Sequence, residues 1–242
     1  MKKGRHIIIY KKIVDKLIKY CNKEQIDVVV VHHGGRSCNI IYINLKKKLP
    51  SVKFVRYLHG SFDKYTYGNS SNKLKNLLIK RTMKKALNMS DLLIFISEAV
   101  QKSFENSFDI KNINKVVIYN GIGRQFYDNL DLSKKENNRI VYVGRLAKPK
   151  GIDILIKAFK LVNTDMKNTL LTITGDGQER KNLEHLVKTL QLENKVEFTG
   201  MKANVEYYLD RAKLFVYPSI CEEGFGISVV EAMARECIPI TF

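Results

Sequence analysis

Apolar residues recur along this chain in two alternating spacings. Short runs rich in valine, isoleucine and leucine predict strands at His6 to Tyr10, Asp27 to Val31, Lys53 to Leu58, Leu92 to Ile96, Lys115 to Tyr119, Arg139 to Val143, Leu170 to Thr174, Lys195 to Phe198, Leu214 to Tyr217 and Ile238 to Thr241. Between the later runs, Ile152, Leu155, Ile156 and Phe159 fall on one helical face. Leu183, Leu186, Val187 and Leu190 do the same, as do Val205, Tyr208, Leu209 and Ala212, which predicts three amphipathic helices. A further helical pattern runs from Asn72 to Ser90. Its apolar positions are Leu74, Leu77, Leu78, Ile79, Met83, Ala86 and Leu87, and its basic ones Lys73, Lys75, Lys80, Arg81, Lys84 and Lys85. Strands alternating with helices predict parallel sheets covered by helices, an α/β architecture.

The stretch from Gly121 to Asn138 breaks both spacings and is rich in Asp, Asn, Lys and Gly. It predicts two domains, 1–125 and 139–242, joined by a linker over 126–138, which a chain of 242 residues has the length to form. No apolar run approaches the ~18 residues of a membrane span. The run from His6 to Tyr10 is too short for the core of a secretory signal, so the expected location is cytoplasmic.

Charge changes the picture by making the halves unequal. Residues 1–120 hold 24 Lys and Arg against 8 Asp and Glu, a net +16, whereas residues 121–242 hold 18 against 16, a net +2. Such a field attracts anions: nucleic acid, an anionic membrane or phosphorylated substrates. No nucleic-acid recognition motif accompanies the charge, so nucleic acid is not the expected partner. The basic helical pattern over 72–90, with Lys46 to Lys48 adding a second cluster, reads as a membrane-surface element; the competing reading is a helix packed on the first sheet with a solvated basic face. Cys21, Cys38, Cys221 and Cys237 stand 16 or more residues apart, with no C-x-x-C pair, and are expected as reduced, mostly buried thiols.

Two segments carry candidate chemistry. After the strand ending at Val143 comes Gly144-Arg145-Leu146-Ala147-Lys148-Pro149-Lys150-Gly151 and then a helix. A strand-to-helix turn in a parallel sheet opens at the carboxyl edge, where ligands bind, and this one carries Arg145 and Lys150 between glycines. It can hold phosphate, although Lys148 and Lys150 read equally well as solvated loop lysines. The second segment, Pro218 to Ala234, leaves a strand, passes Glu223-Gly224-Phe225-Gly226 and enters a helix at Ile227 and Ser228. The first N–H groups of that helix are free to meet an anion. Glu223 and Glu231, eight positions apart, can accept from hydroxyls, while Glu222 and Glu236 read as ordinary surface acids.

With these residues the chain resembles the retaining glycosyltransferase family 4 of the GT-B fold. The resemblance runs through Leu58-His59-Gly60-Ser61, Ser90-Asp91 to Ser97-Glu98, Tyr119-Asn120-Gly121-Ile122, Gly144-Arg145-Leu146 with Lys150-Gly151, Gly175-Asp176-Gly177, Val196 to Gly200, Phe215 to Ser219, and the E-x7-E arrangement of Glu223 and Glu231. It implies two doubly wound, Rossmann-like domains. In this reading the domain over 1–125 faces the acceptor and the one over 139–242 binds a nucleotide sugar.

By the same resemblance, Gly144, Arg145 and Lys150 clamp the donor diphosphate, helped by the backbone of Gly224, Phe225, Gly226, Ile227 and Ser228. Glu231 accepts the ribose hydroxyls and Glu223 those of the transferred sugar, while the backbone at Met201 and Lys202 faces the base. His59, on the opposite domain, sits over the sugar; its alternative is a satisfied loop histidine. His32, His33 and His185 match nothing and are read as structural.

The implied reaction moves a sugar from a nucleotide donor to a polysaccharide or a lipid-linked acceptor with retention, and assigns His59, Glu223, Arg145 and Lys150 to catalysis. Arg145, Lys150 and the helix N–H groups supply the positive charge, so no cofactor or metal is expected. The absence of an Asp-x-Asp pair agrees with that. Relatives of this kind begin with a further strand and glycine-rich loop and continue past the position of Phe242, so both domains are expected to be incomplete. Two other readings stay open: a GT-B nucleotide-sugar epimerase, which lacks the E-x7-E segment, and a catalytically silent fragment that binds a partner or an anionic surface.

Overall fold

The computed structural model describes residues 2–32, 35–62, 73–128 and 130–241, with the side chains of 2–9 and 73 outside the description. His33, Asn72 and Phe242, singled out by the sequence, lie outside the described residues. The chain forms two units, Met1–Asn120 and Gly121–Phe242.

In the first unit, His6 to Tyr10, predicted as a strand, belongs to helix α1, Lys2–Lys23. A five-residue apolar run does not distinguish a strand from a helix, and the period that decides it continues beyond the run, through Val14, Ile18 and Cys21, which face the core. Then follow β1 (Val28–Val31), α2 (Arg36–Lys48), β2 (Lys53–Leu58), α3 (Lys73–Asn88), β3 (Leu92–Phe95), α4 (Glu98–Ser107) and β4 (Lys115–Val117). The four strands pair in parallel in the order β1-β2-β3-β4. Phe54 of β2 is buried with Val14, Tyr42, Leu45 and Ala86 from the covering helices.

In α3 the apolar residues divide. Met83, Ala86 and Leu87 are fully buried, whereas Leu74 and Leu77, one turn apart near the start of the helix, are 65% and 53% exposed. Lys80, Arg81, Lys84 and Lys85 are exposed as well.

The second unit contains β5 (Glu136–Val143), α5 (Ile152–Asp165), β6 (Leu170–Thr174), α6 (Arg180–Thr189), β7 (Val196–Gly200), α7 (Glu206–Arg211), β8 (Ala212–Tyr217), α8 (Ile227–Ala234) and β9 (Ile238–Thr241). All pairs are parallel, in the order β7-β6-β5-β8-β9. The period of two is visible in the packing. Tyr142, Leu171, Ile173 and Val216 meet α5 and α6 through Leu155, Ile156, Phe159, Leu183 and Val187, while Val141, Val143 and Phe215 meet Leu209 and Ala232 on the other face.

The stretch 126–138 contains a single-turn 3-10 helix at Leu132–Lys134 and the first residues of β5. Phe126 is buried beside Val141 and Phe215. The Lys135 ammonium donates to the carbonyls of Leu209 (2.8 Å), Ala212 (2.9 Å) and Arg235 (2.6 Å), at the C-terminal ends of α7 and α8. Cys21 and Cys237 are buried, Cys38 and Cys221 half-buried, and all four are free thiols.

Candidate functional site

Strand order positions the site. β5 leads through α5 to β6 on one side and is flanked by β8 on the other, so the chain reverses direction across the sheet between β5 and β8. At such a switch point the loops leaving the two carboxyl ends diverge and open a crevice for ligand. The loops here are Gly144 to Gly151, after β5, and Pro218 to Gly226, after β8.

These loops are tied together by backbone. Ile220 N–H donates to Pro149 O at 3.0 Å. Gly151, at φ +64°, lies so close to the second loop that a Cβ there would sit 2.0 Å from the Pro218 carbonyl oxygen. Only glycine combines the left-handed backbone with that approach.

Side chains then converge on Glu223. Its Oε1 accepts from the Lys150 ammonium, from Ser219 Oγ at 2.7 Å and from Cys221 Sγ at 3.5 Å. The Lys150 ammonium lies 5.6 Å from the centre of the Tyr217 ring. Burial alone would push the Glu223 carboxyl up, but the Lys150 and Ser219 hydrogen bonds and the Lys150 charge outweigh it and hold the group below the usual carboxylate range. Burial, and then the Glu223 charge, push the phenols of Tyr217 and Tyr142 above the ordinary tyrosine value. Tyr142, fully buried, donates to the Arg145 carbonyl at 3.1 Å and so braces the turn from which the exposed Arg145 side chain projects.

α8 begins at Gly226, with φ +75° and no side-chain cap. Helix geometry leaves the N–H groups of Ile227 and Ser228 without acceptors inside the helix, a partial positive charge at the mouth of the same crevice. Glu231 lies half-buried within α8; burial first, then the charge of Glu206 on α7, raises its carboxyl above the usual range. Met201, 81% exposed, and Lys202 follow β7, at the same sheet edge two strands from β5. His59 lies at the carboxyl end of β2, in the first unit.

The structure thus brings Lys150 and Glu223 into direct contact, with Arg145 and Gly226 on the two loops beside them. Sequence reasoning assigned Lys150 and Glu223 separate ligand groups; the structure joins them in one ion pair. It also passed over Tyr142 and Tyr217, because alternation marks them only as inward strand residues. Their signal is positional, since Tyr142 is the penultimate residue of β5 and Tyr217 the last of β8, at the switch point. Chemically, an arriving anion can take the Lys150 cation and leave the Glu223 carboxylate to accept hydroxyls.

Two parallel α/β units in one chain, the second wound about a switch point that gathers cations, a carboxylate and an open helix N-terminus, define the GT-B class of fold. The chain belongs to glycosyltransferase family 4: the model of that family matches residues 3–126, and the model described as glycosyl transferases group 1 matches residues 124–242. An uncharacterized glycosyltransferase of Methanocaldococcus jannaschii is 28% identical over 233 residues, covering 90% of this chain and 56% of the relative. An N-acetylgalactosamine-N,N'-diacetylbacillosaminyl-diphospho-undecaprenol 4-alpha-N-acetylgalactosaminyltransferase of Campylobacter jejuni is 30% identical over 178 residues, covering 72% of this chain and 46% of the relative. Among solved structures, Anabaena HepE in complex with UDP and glucose superimposes with a TM-score of 0.75 at 22% identity, covering 94% of this chain and 61% of that one. The chain therefore spans about half the length of the curated relatives it matches.

Proposed function

We propose that this chain serves a nucleotide-sugar-dependent glycosyltransferase, with the second unit holding the donor and the first unit facing a polysaccharide or glycolipid acceptor. The observation that carries this reading is the Lys150 to Glu223 pair at the switch point, beside Arg145 and the open end of α8. Cleavage of the bond between the anomeric carbon and the diphosphate leaves negative charge on phosphate. Lys150, Arg145 and the Ile227 and Ser228 N–H groups stabilise that charge more in the transition state than in the substrate. Glu223, released from Lys150, accepts sugar hydroxyls, and Glu231 accepts those of ribose. Retention follows if the acceptor hydroxyl attacks from the face the diphosphate leaves and passes its proton to the departing phosphate. Positive charge from the chain takes the place of a metal. The UDP complex of the HepE structure supports testing UDP first.

Calorimetry with UDP separates the glutamates. Glu231→Gln is expected to weaken UDP binding by about tenfold, the loss of a hydrogen bond between a charged group and hydroxyls. Its melting temperature is expected to hold or rise, because the charge that burial and Glu206 oppose is removed. Glu223→Gln is expected to preserve or tighten UDP binding, since Lys150 loses its internal competitor, while impairing transfer. Equal losses of UDP affinity in both variants would refute the division of roles.

The same reading places the protein in the cytoplasm, peripheral at the inner face of the membrane. Among the described residues no helix is long and apolar enough to cross a membrane. Support for surface attachment comes from Leu74 and Leu77, exposed on α3 beside Lys80, Arg81 and Lys84. A basic side chain near an anionic leaflet contributes ~1 kcal/mol. Sedimentation with vesicles should require anionic lipid, weaken with added salt as charges are screened over ~8–10 Å, and fall for Leu74→Asp. Salt-insensitive sedimentation, or none, would overturn the attachment.

A further inference from the structure

The carboxyl edge of the first unit carries a cluster that includes a histidine set aside as structural. His32 follows β1 and His59 follows β2, and the parallel register that sets Val31 opposite Arg56 brings both rings to one edge. His32 Nδ1 lies 2.9 Å from His59 Nε2. Tyr57 packs between strand and histidines, its ring centroid 5.1 Å from that of His32 and 4.7 Å from that of His59. The Tyr57 hydroxyl reaches the Ile118 carbonyl beyond β4. Both imidazoles are exposed, so a ligand can reach their outer nitrogens.

We infer that His32 is a positioning residue for His59: one shared hydrogen couples the tautomer of His59 to that of His32, so that the pair always offers one donor and one acceptor to neighbouring hydroxyls of a sugar. This rests on the proposed reading of the first unit as the acceptor side.

A hydrogen bond between two neutral imidazoles contains a single proton. If His32 donates from Nδ1, its Nε2 is bare; His59 then accepts at Nε2 and carries its own hydrogen on Nδ1. If His59 donates from Nε2, its Nδ1 is bare, and His32 carries hydrogen on Nε2. Either way the two rings share the same tautomer, and their outer nitrogens are always one donor and one acceptor. Vicinal hydroxyls, each able to donate and accept, complement both states. A histidine without the partner exchanges tautomers independently and offers no fixed pair. Lost solvation, followed by the neighbouring His32, holds His59 below the ordinary imidazole range, which favours the neutral form of the His59 ring.

Nitrogen-detected NMR of the histidine rings tests this in the whole chain at neutral pH, alone and with methyl α-glucoside, methyl α-galactoside and N-acetylglucosamine as probes. His32→Phe keeps a flat ring over Tyr57 without the hydrogen bond, and His32→Asn places an amide where Nδ1 stood. The parent is expected to show His32 and His59 in one tautomer, with at least one probe shifting both rings together. His32→Phe should change the tautomer populations of His59 from those of the parent and weaken the probe about three- to tenfold, the range for one hydrogen bond; His32→Asn should restore both readouts. Opposite tautomers, a His59 tautomer indifferent to His32→Phe, or rings that no probe shifts would each overturn the inference. UDP calorimetry on the same samples reports on the second unit separately, so failure of the donor reading is recognised apart from failure of the pair.

Discussion

Lys150→Ala is expected to slow glycosyl transfer about 10²–10³-fold, the usual loss when a preorganised group aimed at developing charge is removed. Arg145→Ala should cost a similar factor with a different signature in stability. Arg145 is exposed, and its carbonyl accepts from the Tyr142 hydroxyl and from Ala147 N–H through backbone that alanine retains, so its removal should leave the melting temperature nearly unchanged. Lys150 is different, because Glu223 depends on it. The folded-state pKa of Glu223 lies below its ordinary value, so its contribution to stability is present above that ordinary value and is lost as pH falls through the depressed one. Lys150→Ala forfeits this contribution. The gap in melting temperature between parent and variant should therefore be widest near neutrality and close in acid. Thermal melts across pH, combined with transfer assays using a UDP sugar, check both parts. Near-parental turnover in either variant would sink the assignment of the clamp.

Gly151→Ala is expected to damage the site without touching any ligand group. A non-glycine residue at φ +64° costs about 1–3 kcal/mol for the backbone alone. The added Cβ would also meet the Pro218 carbonyl oxygen at 2.0 Å, backbone with no flexible end to move aside. The β8 loop must then withdraw from the β5 loop, which breaks the Ile220 to Pro149 hydrogen bond and draws Glu223 away from Lys150. A fall in melting temperature together with loss of UDP binding is the expected pair of results. Gly121→Ala is the control, because a Cβ at Gly121 meets nothing within 4 Å. A Gly151→Ala protein with parental UDP affinity would show that the crossing of the two loops does not shape the site.

The central strands of the second unit were legible because β6 and the later residues of β5 and β8 are buried on both faces, so each appears as a short apolar run. Helices α5 and α6 were legible because Ile152 to Phe159 and Leu183 to Leu190 repeat at helical spacing against one sheet face. The first helix was misread where the run from His6 to Tyr10 is shorter than one period comparison requires. The stretch 126–138 read as linker because its composition is polar, whereas Phe126 and the Lys135 ammonium are held by partners far along the chain. No local pattern reports such partners.

The sequence by itself determined the alternation of elements, the unequal charge of the two halves, and the two segments that carry Arg145, Lys150, Glu223 and Glu231, since each is written in local spacing and residue type. Tertiary structure alone decided which of these meet. Strand order sets β8 beside β5, and that adjacency, invisible over the 73 positions separating Lys150 from Glu223, turns a loop lysine and a loop acid into one neutral pair framed by Tyr217 and Ser219. The same physics joins His32 to His59: parallel register carries two strand ends to one edge, and a contact between residues 27 positions apart depends on pairing geometry, not on the sequence around either histidine.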